Sequence, residues 1–408
     1  MRRPTLALFA IAGASLMLAA PAASPVLAQP ASAAAPAAVQ PREVAGRVAE
    51  QIEQVYFSPE LGKSIADKLR AKAAAGDFDR YTDPRDLAVA LTGWLKPHDA
   101  HFNVQYSRSP AAAPGPAGPN RNASPADPAA AGARQFAAAA RGNFGFRKVE
   151  ILPGNIGYIA LDQFAPVNAA PEVRAAADAA MAFTANTDAM IFDLRDNGGG
   201  SPAMVGYLVS HFVEKDAKVY NTFKTRTQDG YEGPPFEPTG KRRLDVPVYI
   251  LTSARTGSAA EAFPYTLQAA KRAVIVGETT GGAAHPGGPR DAGGGFSVFV
   301  SNGSPVNPIT KTNWEGTGVI PDVAVPAPDA LRKATALALG GFAKSQDEIA
   351  RTEAAWLLEA MNAAPAAFPL DGYAGAYSGR TLAVENGALV MRAGRRSAVL
   401  RPLAKDLF

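Results

Sequence analysis

Apolar residues set three different rhythms along this chain. Over 42–95 they recur at three- and four-residue spacing, as Val44, Val48, Ile52 and Val55, then Ile65 and Leu69, then Leu87, Leu91 and Leu95 with Val89 among them. That is the period of amphipathic helices. Over 109–131 the chain is mostly Pro, Ala, Gly and Asn, with too few large apolar side chains to pack, so it reads as a long loop or linker. From 156 onward the apolar residues form continuous runs at 156–160, 189–194, 246–252 and 273–277, the pattern of strands buried on both faces. Helical stretches at 171–185, 202–213 and 258–270 separate these runs, the second with Pro202 in its first turn. Strands alternating with helices predict a largely parallel sheet. An excursion rich in Gly, Pro and charge at 224–243, a helix at 346–361 and a small β-meander at 373–408, turning at Gly379, Asn386-Gly387 and Gly394, complete the pattern.

The first 28 residues stand apart. Arg2-Arg3 precede an apolar run over 6–20, and Val26-Leu27-Ala28 offers small residues for processing. The expectation is a secretory signal peptide cleaved after Ala28 rather than a membrane anchor, and hence an exported chain, periplasmic or secreted. Cleavage lowers the formal charge from +4 to +2. No basic stripe with interleaved aromatics is present, so no nucleic-acid partner is expected. The 408 residues leave room for two or three domains, and 47% hydrophobic against 19% charged residues excludes a wholly disordered chain. The absence of cysteine excludes disulfides, thiolate nucleophiles, iron–sulfur clusters and Cys-based zinc sites. Only His98, His101, His211 and His285 remain as imidazoles, little material for a His-rich metal cage, and no metal or cofactor is expected.

Five segments carry candidate chemistry. In Thr252-Ser-Ala-Arg-Thr-Gly-Ser258-Ala-Ala-Glu261 an apolar strand ends and Ser258 stands at a helix start. Serine there is an ordinary N-cap, but the same geometry aims backbone N–H groups at developing negative charge. Asp193-Leu-Arg-Asp-Asn-Gly198-Gly199-Gly200 follows a buried strand at the edge where open α/β sheets bind ligands. No Gly-Lys-Ser/Thr follows it, which excludes a P-loop. Pro97-His98-Asp99-Ala100-His101-Phe102 supplies histidines, the usual base for a serine, although two polar histidines in a surface turn would look the same. Gly277-Glu-Thr-Thr-Gly281-Gly282-Ala-Ala-His285 is a glycine-rich loop whose Gly281, Gly282 and His285 are candidates to line a substrate cleft. In Asn313-Trp314-Glu315-Gly316 the carboxylate of Glu315 could orient a histidine, whereas His211 lies within a helix and reads as structural.

Taken in order, these blocks resemble the tail-specific (C-terminal processing) serine protease family, with a closer likeness to its tricorn-core and interphotoreceptor retinoid-binding-protein branch. The resemblance covers about residues 145–335, with His101 upstream. It implies an α/β fold with a core like those of crotonase and Clp protease, built of stacked ββα units. It also implies hydrolysis of peptides or proteins through an acyl-enzyme. By that likeness Ser258 is the nucleophile. The lysine base of the tail-specific branch would fall at 283, where this chain has Ala283, so the Ser/Lys dyad is absent. The other branch uses an upstream His and a downstream Glu, which His101 and Glu315 match. A serine that can precede that His is replaced by Ala100. The oxyanion would be held by the N–H of Ala259 and by the Gly198-Gly199 turn.

The expected organisation is a signal peptide over 1–28, an Ala/Pro tether over 29–40, an N-terminal helical domain over 41–107 carrying His101, a linker over 108–141, a serine protease core over 142–340, a connecting helix over 345–362 and a β module over 366–408. No PDZ-like module is recognisable between helical domain and core. The alternative function is a catalytically weak or inactive relative that binds a hydrophobic ligand or peptide. Penicillin-binding or β-lactamase chemistry would need Ser-x-x-Lys, and Glu261 occupies that place. Crotonase-like acyl-CoA chemistry would leave an exported chain unexplained.

Overall fold

The computed structural model describes residues 40–107, 128–227, 231–232, 237–363, 369–403 and 405–408. The expected signal peptide, nearly all of the tether, the Pro-rich part of the linker and part of the 224–243 excursion lie outside the described residues.

In chain order the elements are α1 (Pro41–Val55), α2 (Pro59–Ala74), α3 (Pro84–Leu95), β1 (Asn103–Tyr106), α4 (Pro128–Arg141), β2 (Phe146–Leu152), β3 (Ile156–Leu161), α5 (Pro171–Phe183), β4 (Ala189–Asp193), α6 (Pro202–Ser210), β5 (Thr222–Thr225), β6 (Tyr231–Glu232), β7 (Val248–Thr252), α7 (Ala259–Ala269), β8 (Ala273–Gly277), β9 (Gly287–Gly293), β10 (Phe296–Ser301), β11 (Gly303–Val306), β12 (Val323–Ala324), α8 (Ala330–Phe342), α9 (Glu348–Asn362), β13 (Gly375–Tyr377), β14 (Arg380–Glu385), β15 (Ala388–Ala393) and β16 (Arg396–Leu400).

The central sheet has the order β12-β8-β7-β4-β3-β2, parallel except where β2 pairs with β3. Every residue of β4 and β7 is buried, as their unbroken apolar runs require. Alternate side chains serve opposite faces. Met190, Phe192, Val248, Ile250 and Ile275 join the core under α5, α6 and α7, whereas Ile191, Tyr249, Leu251 and Val276 join a second core under α8 and α9. This is the expected α/β core with N-terminal helices before it and an antiparallel β13-β14-β15-β16 meander after it.

Three features depart from the sequence reading. The linker expected over 108–141 ends in a helix, α4, because past Pro128 the segment is mostly alanine, the strongest helix former. The glycine-rich stretch after Gly277 runs on into β9, which pairs with β10, and β10 pairs with β1 in a three-stranded antiparallel sheet. The N-terminal helices do not close a core of their own. Val48, Ile52, Leu69, Leu87, Leu91 and Leu95 pack with Phe102, Ala292, Phe296, Val298 and Val300, so this unit shares its core with β9 and β10. Among the described residues no helix is long and apolar enough to cross a membrane.

Candidate active site

β7 ends at Thr252, beside the end of β4. The loop that follows is strapped to the turn after β4. Ser253 Oγ donates to the Arg195 carbonyl at 2.6 Å, Thr256 Oγ1 to the Leu194 carbonyl at 2.8 Å, and the Gly257 N–H to the Asn197 carbonyl at 3.1 Å. Ser258 then takes φ 55° and ψ −125°, a conformation that costs a residue with a side chain on the order of 1–3 kcal/mol. Glu261 holds it there. Its fully buried carboxylate accepts the Ser258 N–H at 2.8 Å, the Thr280 hydroxyl at 2.5 Å, and the N–H groups of Gly282 at 2.7 Å and Ala283 at 2.9 Å. Burial pushes the Glu261 carboxyl up, and these four donors work against that shift.

The triple-glycine turn lies directly against the serine. Gly199 has φ +123°, and a Cβ there would sit 2.8 Å from the Ser258 Cβ, so only glycine permits the approach. The turn itself is stiffened by Asp193, which pairs with Arg195 at 2.5 Å and accepts the Tyr158 hydroxyl at 2.7 Å. The Gly199 N–H donates to Asn197 Oδ1 at 2.9 Å. By contrast, the N–H groups of Ala260 and Glu261 are turned back on Gly257 and Ser258, and among the described residues neither Ala259 N–H nor Gly198 N–H is engaged in such a bond.

His101 arrives from the other end of the chain. β1 pairs with β10 in the register Asn103↔Phe299, and two residues earlier the His101 ring stacks on Phe299 with centroids 5.5 Å apart. Thr92 fixes α3 to this strand, accepting the Val104 N–H at 2.8 Å and donating to the Val104 carbonyl at 3.2 Å. Asp99, whose side chain has no exposure, accepts the His101 N–H at 2.9 Å, the Tyr56 hydroxyl at 3.1 Å and His285 Nδ1–H at 2.8 Å. Glu315 Oε1 accepts the Ala100 N–H at 3.0 Å. Its Oε2 accepts the Ala284 N–H at 2.6 Å and lies 3.6 Å from His285 Nδ1. Asp99, His101 and Glu315 each bring an atom within 4.8 Å of the other two. His101 Nδ1 is buried without a partner. Burial pushes His101 below its ordinary 6.5, with the Asp99 and Glu315 charges pulling it part of the way back. Burial works to raise Asp99 as well, but the His285 ring and the His101 N–H overcome it and hold the carboxyl below its usual range.

One cavity of about 700 Å³ is lined by both His101 and Ser258, together with Gly198, Gly200, Ala259, Phe299 and Trp314. No hydrogen bond among those described joins His101 to Ser258. The other sequence candidates lie outside the lining. His285 is buried beneath the cavity wall against Asp99 and the Phe57 ring, and Gly281 and Gly282 brace the serine loop through Thr256 and Glu261. His98 is exposed and its ring packs at a tilt against Trp94. His211 is buried, its Nδ1 on the Tyr207 carbonyl at 3.0 Å, and burial pushes it down to about 4. Asp99, His101 and Glu315 are the nearest approach to a metal-ligating set among the described residues. A cation there would compete with donors already on both oxygens of each carboxylate, the His101 N–H, Tyr56 hydroxyl and His285 ring on Asp99 and the Ala100, Ala284 and His285 N–H groups on Glu315, so the set is a poor fit to that role. Sequence reasoning passed over Asp99, although its place two residues before His101 was visible, and over Tyr56, for which no local signal exists.

A helix-start serine and a histidine lining one cavity, with carboxylates beside the histidine, form an arrangement able to carry serine-hydrolase chemistry. Residues 155–325 match the model of Peptidase family S41. A carboxyl-terminal-processing protease from Synechocystis sp. is 33% identical over 131 residues, 32% of this chain and 29% of that protein. The match thus spans less than a third of that relative. Among solved structures, a candidate peptidase from Parabacteroides merdae superposes with a TM-score of 0.50 at 19% identity, covering 74% of this chain and 97% of that one. A lipoprotein from Streptococcus agalactiae gives a TM-score of 0.46 at 13% identity, covering 74% and 96%. The Parabacteroides likeness speaks for the fold alone.

Proposed function

We propose that this chain is an exported serine peptidase that hydrolyses peptides or proteins through a Ser258 acyl-enzyme. The observation that carries the reading is the single cavity lined by both Ser258 and His101, with Glu315 beside the histidine. In this mechanism His101 Nε2 takes the Ser258 hydroxyl proton as Oγ attacks the substrate carbonyl. Glu315, with Asp99 behind it, stabilises the imidazolium. The oxyanion is received by the N–H groups of Ala259 and Gly198, worth roughly 3–4 kcal/mol for each donor. Gly199 shapes the hole rather than donating, since its N–H is committed to Asn197. The tetrahedral intermediate collapses, the amine leaves with the proton from His101, and water repeats the sequence to release the acid and regenerate Ser258. Export rests on Arg2-Arg3, the apolar run over 6–20 and the small residues at 26–28.

A second reading, a relative that binds a hydrophobic ligand without efficient turnover, draws on the gap between His101 and Ser258 and on the unpartnered His101 Nδ1. Labelling with a fluorophosphonate probe separates the two. Under the peptidase reading, wild type labels, Ser258→Ala does not, and a quenched-peptide library is cut only by wild type. Absence of Ser258-dependent labelling and cleavage sinks that reading.

A further inference from the structure

The cavity continues well past the reacting groups. α6 begins immediately after the triple-glycine turn and α7 immediately after Ser258, and the two helices pack against each other. Val205, Gly206 and Val209 on α6 line the cavity, as do Ala262 and Thr266 on α7. These positions fall on one face of each helix at successive turns, so the open space follows both helices away from Ser258 for seven residues, roughly 10 Å. The small residues Gly206 and Ala262 leave width midway. Asn221 contributes beside Thr266, and Tyr220 also lines the cavity. The polar groups of Asn221 are already matched, its Nδ2 donating to Thr266 Oγ1 at 3.3 Å and its Oδ1 accepting from Asn307 Nδ2 at 2.9 Å. Among the described residues no Asp, Glu, Lys or Arg lines the cavity. A charged side chain entering would lose its water without gaining a counter-ion, a heavy cost, whereas an apolar one gains about 25 cal/mol for each Å² it buries.

We propose that the slot between α6 and α7 is the specificity pocket for the residue whose carbonyl Ser258 attacks, and that it selects a large uncharged side chain, aromatic or branched aliphatic. This rests on the peptidase reading above. Gly206, Ala262 and Thr266 are the specificity-determining positions, because each sets the width or depth of the slot without touching the reacting atoms.

The test uses quenched peptides identical except for Phe, Leu, Ala, Asp or Lys at the attacked position. Wild-type kcat/KM for Phe and Leu is expected to exceed that for Ala by about tenfold and those for Asp and Lys by about a hundredfold. Gly206→Val, or Ala262→Val where the first does not fold, narrows the slot. Cleavage at Phe should then fall by about thirtyfold or more, with cleavage at Ala staying within about threefold. Asp or Lys peptides cut as well as Phe, or the folded variant lowering all five substrates alike, would overturn the proposal while leaving the peptidase reading intact. A parallel calorimetric titration of full-length Ser258→Ala with the same peptides needs no turnover. If wild type cuts none of them, the peptidase reading fails, and the binding series alone decides the slot: a Phe-over-Lys ranking retains it and a flat ranking removes it.

Discussion

Ser258 and His101 face one cavity, but the elements that carry them are held in different ways. The serine is fixed by contacts within the parallel core. Its loop is tied to the Asp193–Gly200 turn by hydrogen bonds from Ser253, Arg255, Thr256 and Gly257, and Glu261 clamps its backbone in a left-handed conformation from one turn away. The histidine rides on an arm whose partners come from all over the chain: Tyr56 at the end of α1, Phe299 on β10, and His285 and Glu315 from two separate loops. The placement of the proposed nucleophile is thus a local device. That of the proposed base is a long-range assembly, set by a sheet register and a buried carboxylate, and damage to the two should look different.

The largest effect is expected at the shared reaction centre. Ser258→Ala should lower kcat by about 10⁴-fold or more with thermal stability unchanged, as steady-state assay and calorimetry would show; retained turnover would remove the serine from the mechanism. Gly199→Ala attacks the local device. Its new methyl meets the Ser258 Cβ at 2.8 Å from a backbone at φ +123°, so kcat should drop by about a hundredfold or more through displacement of the nucleophile. Unaltered kcat there would mean that the glycine turn does not pack on the serine. Glu261→Gln replaces one acceptor oxygen with a donor in a site where three of the four partners are backbone N–H groups. The expected loss is about 1–3 kcal/mol of stability in urea titration, together with reduced acylation by the fluorophosphonate.

The arm should respond through pH. With His101 pushed below 6.5 by burial, its neutral form persists into mildly acid solution, so the acid limb of kcat/KM should lie below pH 6.5. The Asp99 charge raises His101. Asp99→Asn should therefore move that limb further down while costing about tenfold in kcat, and a limb that stays in place would show that Asp99 serves only packing.

The parallel core was legible because each of its signals is local. Runs buried on both faces marked β4, β7 and β8, helical periods lay between them, and a serine at a helix start beside a glycine turn was visible within a few residues. The arm was not legible in that way. His101 and Glu315 were visible as candidates, but only the family resemblance singled out His101 from its neighbour His98 and paired it with Glu315, and His285 was placed in the cleft when it lies outside the cavity lining. Gly287–Gly293 was hidden as a strand because glycine carries no side chain with which to announce a period of two. The alanine-rich end of the linker hid α4 in the same fashion, since small residues give no apolar face to count.

The order of strands and helices in the core, the helix-start serine and the glycines that let a turn reach it were written in the chain itself, because hydrogen-bonding period and backbone freedom are properties of neighbouring residues. Which histidine faces the serine, which carboxylates stand beside it and what depth of apolar slot lies behind it were decided only when β1 paired with β10 and α6 closed on α7. Burial and pairing are set by residues that share space, and no spacing along the sequence encodes which distant segments will meet.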